Sequence, residues 1–370
     1  MSTLTIGHAN KNMYINARGV LTVPHKTQKV NCMNLQLTCL RIPYGIQKIN
    51  CSFNNLTCLE VPETMQELNC SNNRLFYLKV PASTKILNCS KNYLTCINIP
   101  EGMQKLDCYE NKLTSLDVPK SIKILRCYSN KITSLYVPEL IQELNCSNNK
   151  LELLHVPEGM QKLCCSNNKL TCLDVPKSVK HFECHHNQLT HLDIPSEAKT
   201  VWCSYNNLSS LDVPEGVVTI WCQSNMLTSL KIPKGIKKVG CSYNQLESLD
   251  IPQGIESLCC HDNNLIYLDI PKSINILNIG INKKLVYPPK EYHLKPAKEI
   301  VEWCSIHEIP QRLLLPERWE KRWSVIRLMY IAHYKEDLES RDPKSDSNNF
   351  NFNIIPIEVI TGVITRYVLT

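Results

Sequence analysis

Twenty cysteines stand in this chain of 370 residues. Thiols in that number can be cross-linked, can hold zinc, or can supply a nucleophile. Spacing separates these options. Thirteen of them fall at positions 32, 51, 70, 89, 108, 127, 146, 165, 184, 203, 222, 241 and 260, a constant step of 19 residues. Cys39, Cys58, Cys96 and Cys172 share a second column seven residues later, Cys164 and Cys259 precede column members, and Cys304 stands alone. No Cys-x-x-Cys pair occurs. Glu183, Cys184, His185 and His186 could hold a metal on composition, but adjacent strand residues point to opposite faces and converge poorly on one ion. Cys304 has only His307 near it as a base. No Gly-rich phosphate loop or catalytic triad signature appears. The expectation is a chain without catalytic residues, metal or cofactor.

The cysteine step is part of a longer repeat. Asn follows three residues after the cysteine at 54, 73, 92, 111, 130, 149, 168, 187, 206, 225, 244 and 263. An aliphatic residue comes next (Leu56, Leu75, Ile132), then Leu (Leu59, Leu116, Leu135), then Val or Ile, then Pro from Pro62 to Pro271. Two residues before the cysteine is another apolar position, as at Leu68, Leu106, Leu144 and Phe182. Leu-x-Cys has the two-residue period of a half-buried strand, so each unit predicts one strand of about three residues. Asn suits the bend that follows, because its amide can satisfy backbone groups. Pro cannot donate to a ladder and belongs on the return side. A 19-residue coil leaves no room for a long helix there, so an extended or short 3₁₀ return is expected. No unit buries its apolar columns alone, so stacking must supply the core.

This unit, Leu-x-Cys-x-x-Asn-x-Leu-Thr-x-Leu-x-Val-Pro, resembles the leucine-rich repeat with Cys at the third apolar strand position. The continuation is similar to the short repeats of bacterial effector proteins. The cysteines and the short Pro-containing return also resemble leucine-rich-repeat proteins encoded by giant DNA viruses. The resemblance covers roughly residues 11–288. It implies an α/β solenoid: a horseshoe with a short parallel concave sheet and a mostly non-helical convex side. Met13, Asn16, Leu21, Val23 and Pro24 fall in register one step before Cys32, and Ile279 with Asn282 one step after Cys260. About fifteen coils result, and at ~4.8 Å per strand the sheet would run ~70 Å.

Stacking also assigns the thiols. In-register parallel strands hold equivalent Cβ atoms ~4.8 Å apart, beyond disulfide reach, so a buried stripe of free cysteines is expected. Reduced thiols and a start without a basic, apolar leader point to the cytoplasm, which is the host cytoplasm for a viral protein. Asn50, Asn69, Asn88 and Asn145 sit in Asn-Cys-Ser triplets, and sugars there would obstruct the strand face. No run of 18 apolar residues exists, so no membrane helix is expected.

Residues flanking each cysteine should face outward. Asn and Ser dominate the first half of that surface, and the second half breaks the pattern. Trp202 and Trp221 are neighbours in adjacent coils, with His181, Glu183, His185, His186, Tyr205 and Tyr243 close by in the repeat. Exposed Trp and Tyr are frequent anchors of protein interfaces. Tyr109, Arg126 and Tyr128 make a smaller second candidate. The net charge of +7 lies in the repeats, with 29 basic against 22 acidic residues before Lys290. Lys112, Lys131, Lys150 and Lys169 share one column; a solvated edge explains them better than phosphate contact, since no nucleic-acid motif accompanies them.

Past Tyr287-Pro288-Pro289 the period stops. Residues 289–370 read as a helical C-terminal region. Short helix 297–307 and amphipathic helix 316–340 are expected there, the latter from Trp319, Trp323, Ile326, Tyr330 and Tyr334, as a cap on the solenoid. Residues 341–352 read as a loop. The segment 353–370 resembles the opening of an F-box through Pro356, Glu358, Val359, Val363 and Ile364, which implies docking on an adaptor of a cullin ubiquitin ligase. Gly362 weakens that helix, and the chain ends before the later F-box helices; an apolar helix packed on the cap explains the segment better. Bacterial effector ligases use a Cys-x-Asp nucleophile, from which Cys304-Ser305-Ile306 departs. The function expected is therefore a non-catalytic protein-interaction scaffold. The alternative is a ubiquitin-ligase substrate adaptor.

Overall fold

The computed structural model describes residues 3–24, 26–280, 282 and 298–300. All belong to one compact unit, Met1–Ser305. Expectations for Cys304 and for residues 301–370, including the F-box-like segment, lie outside the described residues, and helix 297–307 is described only at 298–300, which are helical.

Among the described residues, fifteen parallel strands form one sheet in chain order, with a small two-stranded side sheet. Each strand has three residues, and register steps by 19, so Glu143, Leu144 and Asn145 face Lys162, Leu163 and Cys164. The middle residue points into the core: Leu68, Leu106, Leu144, Phe182 and Val201 are at most 2% exposed. The cysteine after each strand does the same, and all thirteen column thiols are 0% exposed. The described cysteines are free. Ile6 and Ile279 fill the column's two ends, at 3% and 0% exposure. An aliphatic side chain closes the stripe without leaving a thiol at its edge.

The Asn column is a hydrogen-bonded ladder. Asn54 Oδ1 accepts from the backbone N–H of Leu35 and Leu37 in the preceding coil, at 2.8 and 3.0 Å. Its Nδ2 donates to the carbonyls of Cys32 and Cys51, at 3.0 and 2.9 Å. The same bridge recurs to Asn282, whose Nδ2 reaches Cys260 and Ile279 at 3.0 and 2.7 Å. One amide thus joins two coils and pairs backbone groups that the bend would otherwise bury unpaired. The bend itself is left-handed, at the second residue after the cysteine: Phe53, His186, Tyr205 and Tyr243 have φ of 57°, 53°, 56° and 54°. Side chains other than glycine rarely adopt it.

The first coil differs from expectation. The strand preceding Lys29–Asn31 is Thr3–Thr5, a step of 26 residues. Met13 is 75% exposed beside a helical turn at Lys11–Tyr14, and Asn16 caps a local turn through the N–H of Arg18 and Val20. Leu4 and Ile6 reproduce the strand and column positions better than Lys11 and Met13 do, so the apolar pattern overrides the 19-residue step. Leu21 alone of that set is fully buried among the coil interiors, at 2%.

The return side is extended. Cys39–Arg41 and Cys58–Glu60 pair there as a two-stranded parallel sheet. The second cysteine column therefore faces outward: Cys58, Cys96 and Cys172 are exposed. Among the described residues, no helix is long and apolar enough to cross a membrane.

Candidate functional site

The concave face is built from the first and third residues of each strand. The serines after the cysteines, expected on that surface, are instead covered: Ser52, Ser71, Ser90, Ser166 and Ser204 are 3%, 4%, 0%, 2% and 7% exposed. Ser71 shows why. Its hydroxyl donates to Asn69 Oδ1 at 2.8 Å and tucks beneath that amide. The accessible surface therefore comes from the strand positions, the bend and the larger side chains that replace serine, such as the half-buried Tyr109, Tyr128 and His185.

Trp202 and Trp221 are direct cross-strand partners, at the third positions of Thr200–Trp202 and Thr219–Trp221. Trp202 is 42% exposed and Trp221 half-buried. Their rings have different supports. Trp202 lies 6.2 Å from the His185 ring in the preceding coil. Trp221 lies over Gly240 in the following one, where an added Cβ would fall 2.3 Å from its Cε3. The glycine makes a seat for the indole. His185 is held by Ser166, Oγ to Nδ1 2.8 Å. Burial, and then His186, hold its imidazole below the usual range.

Tyr205 and Tyr243, grouped with the tryptophans in the repeat, belong to the bend column at the rim. They are 51% and 55% exposed. Tyr205 stacks on His186 at 4.1 Å and Tyr243 meets His261 edge-on at 4.9 Å. The left-handed bend turns these rings away from the strand positions. It is a backbone feature that apolar alternation does not signal.

The second candidate is a charged network with an aromatic step. Arg126 bridges Asp107 at 3.2 Å and Glu143 at 3.3 Å, joining three successive strands. Tyr109 and Tyr128 stack at 4.3 Å beside it. Burial, then Tyr109, push the Tyr128 hydroxyl up to about 12. Lys112, Lys131, Lys150 and Lys169 are exposed. On the return side, Glu139, His155, Glu158 and Asp174 line an open depression of about 370 Å³.

One cluster was not singled out from the sequence. Cys164, His181 and Glu183 bring a thiol, an imidazole and a carboxylate within 4.8 Å of one another. Cys164 faces Glu183 across the ladder, and His181 is two residues before Glu183 on the same strand. His181 Nε2 and Glu183 Oε1 are 2.6 Å apart. Burial first, then the Glu183 carboxylate, push the Cys164 thiol up to about 12. The signal was available: 164 and 183 differ by the repeat length, and 181 and 183 by the strand period.

No protein-family model and no curated protein matches the chain. Solved structures do. YopM from Yersinia enterocolitica superposes with a TM-score of 0.62 at 24% identity, over 72% of this chain and 67% of that one. The functional domain of InlJ from Listeria monocytogenes, which includes a cysteine ladder, gives 0.59 at 25%, over 68% and 66%. YopM from Yersinia pestis, a leucine-rich effector protein, gives 0.63 at 22%, over 74% and 86%. The chain thus spans about two thirds of the length of the first two. The stacked parallel strands superpose on these structures, and this chain has the leucine-rich-repeat fold in units of 19 residues.

Proposed function

We propose that the chain is a non-catalytic scaffold that grips a partner protein on its concave sheet. The observation that carries this reading is the pair of tryptophans, side by side on adjacent strands. An indole on a rigid seat loses little entropy on binding, and stacked coils supply area that is already ordered. Glu183 and His185 flank the pair, Tyr205 and Tyr243 extend it along the rim, and Arg126 with Tyr128 offers a second contact. Trp202→Ala with Trp221→Ala should remove at least one protein from the set captured by the tagged chain and identified by mass spectrometry. Retention of the full set would discard this site.

This reading places the chain in a reducing cytoplasm, consistent with its free thiols. The resemblance to giant-virus repeat proteins would make that the host's. Residues 289–370 then serve as the cap of the 1–288 solenoid. A second reading rests on the F-box-like residues Pro356, Glu358, Val359, Val363 and Ile364. In it the repeats select a substrate and the tail docks on a cullin adaptor. Co-purification of such an adaptor, abolished by deleting 353–370, is the outcome it requires; its absence from the full-length chain rejects it.

A further inference from the structure

We propose that Cys164, His181 and Glu183 form a binding site for a zinc-like divalent cation on the concave sheet. Three observations carry it. The three groups differ in kind, and a thiolate, an imidazole and a carboxylate together are a donor set suited to zinc. Their ligand atoms already lie within 4.8 Å of one another. Ligands about 2.0–2.3 Å from a tetrahedral ion sit roughly 3.3–3.8 Å apart, so side-chain rotation has to draw in the thiol and part His181 Nε2 from Glu183 Oε1, which are 2.6 Å apart without the ion. Finally, the thiol is 3% exposed, whereas the third strand positions on either side of it, Asn145 and Glu183, are half-buried. The paired heads of His181 and Glu183 lie beside it.

The solenoid supplies the geometry. Two ligands two residues apart on one strand share a face, and the third is the in-register neighbour of Glu183 on the preceding strand. The site therefore needs no loop to order. On binding, the ion replaces the thiol proton, which passes to water, and the S–H bond gives way to a metal–sulfur bond with no change of oxidation state. The fourth position opens toward the concave face and takes water. Lys162, the cation nearest the thiol on its own strand, is exposed and can turn its ammonium to solvent. Glu143 adds negative charge nearby.

The test uses the full-length, reduced, metal-free chain titrated with Co²⁺ as a spectroscopic probe, then with Zn²⁺ in competition. One equivalent should bind with tetrahedral d–d absorption and thiolate-to-cobalt charge transfer. Cys164→Ser should abolish the charge transfer. His181→Gln and Glu183→Gln, both at partly exposed positions, should each weaken binding by more than about tenfold, the loss that even outer-sphere partners of a zinc site cause. Cys172→Ser, at an exposed thiol outside the cluster, should change nothing. Charge transfer that survives Cys164→Ser, binding unaltered in both His181→Gln and Glu183→Gln, or no stoichiometric binding overturns the proposal. In the last case the cluster is an ordinary ion pair over a buried thiol. Circular dichroism of each variant separates a lost ligand from a lost fold, and His181→Gln decides the matter if Cys164→Ser does not fold.

Discussion

Single side chains divide the labour within each coil, and the asparagines do the most. Asn187 accepts from Leu170 N–H at 3.1 Å and donates to the carbonyls of Cys165 and Cys184 at 3.1 and 3.0 Å. Alanine there leaves a donor and two acceptors buried at the junction of two coils. Each unsatisfied group costs about 1–3 kcal/mol, and relaxation recovers part of the sum, so Asn187→Ala should destabilise the array by roughly 2–4 kcal/mol. Urea unfolding followed by circular dichroism measures this, and a change below about 0.5 kcal/mol would deny the ladder its role. That Asn suits a bend was legible from its position in the unit. That one amide serves two successive coils was not, because its partners are about 20 residues away and adjacent only after stacking.

At the scale of strands and columns, the same residue type meets two environments. Column thiols at the strand ends are 0% exposed, whereas Cys58, Cys96 and Cys172 on the return are exposed. Reactivity needs access and thiolate. Among the described cysteines, maleimide labelling of the native chain at neutral pH should therefore reach Cys96 and Cys172 first. Cys58 should lag, since a hydrogen bond with Cys39, then burial, push its thiol up to about 11. The thirteen column thiols should react only after unfolding, as read by mass spectrometry of digests. Labelling of Cys127 in the native chain would mean that the column is open to water. The periodicity predicts the buried column because Leu-x-Cys alternates; the exposure of the second column follows from the extended return.

Across the whole array the buried thiols add up to a dependence on pH. Burial pushes Cys70, Cys127 and Cys222 up to about 12 from the ordinary 9.0. Above the ordinary value the unfolded chain loses these protons while the folded chain keeps them. The unfolded state then binds fewer protons, so stability falls as pH rises. The contribution is complete below about pH 8 and erodes from about 9 toward 12, at up to about 1.4 kcal/mol per thiol per pH unit. The urea midpoint should hold between pH 7 and 8 and drop steeply by pH 9.5. A flat profile to pH 9.5 would show that the thiols titrate alike in both states.

Alternation repeated at a fixed step is enough to set the period, the strand positions after the first, the buried cysteine stripe and the closing residues Ile279 and Asn282. It also pointed to the tryptophan pair, since residues one period apart must be neighbours. The tertiary structure alone decided the rest. The first strand lies at Thr3–Thr5 because Leu4 and Ile6 fit the core where the counted register offers Lys11 and Met13. The left-handed bend carries Tyr205 and Tyr243 to the rim, away from Trp202, because backbone direction is set there by amide bridges to another coil. Cys164, His181 and Glu183 converge because two side chains of one strand meet the thiol of its neighbour. Local pattern fixes which face a residue takes; how far its side chain reaches, and what covers it, depends on neighbours that stacking alone brings near.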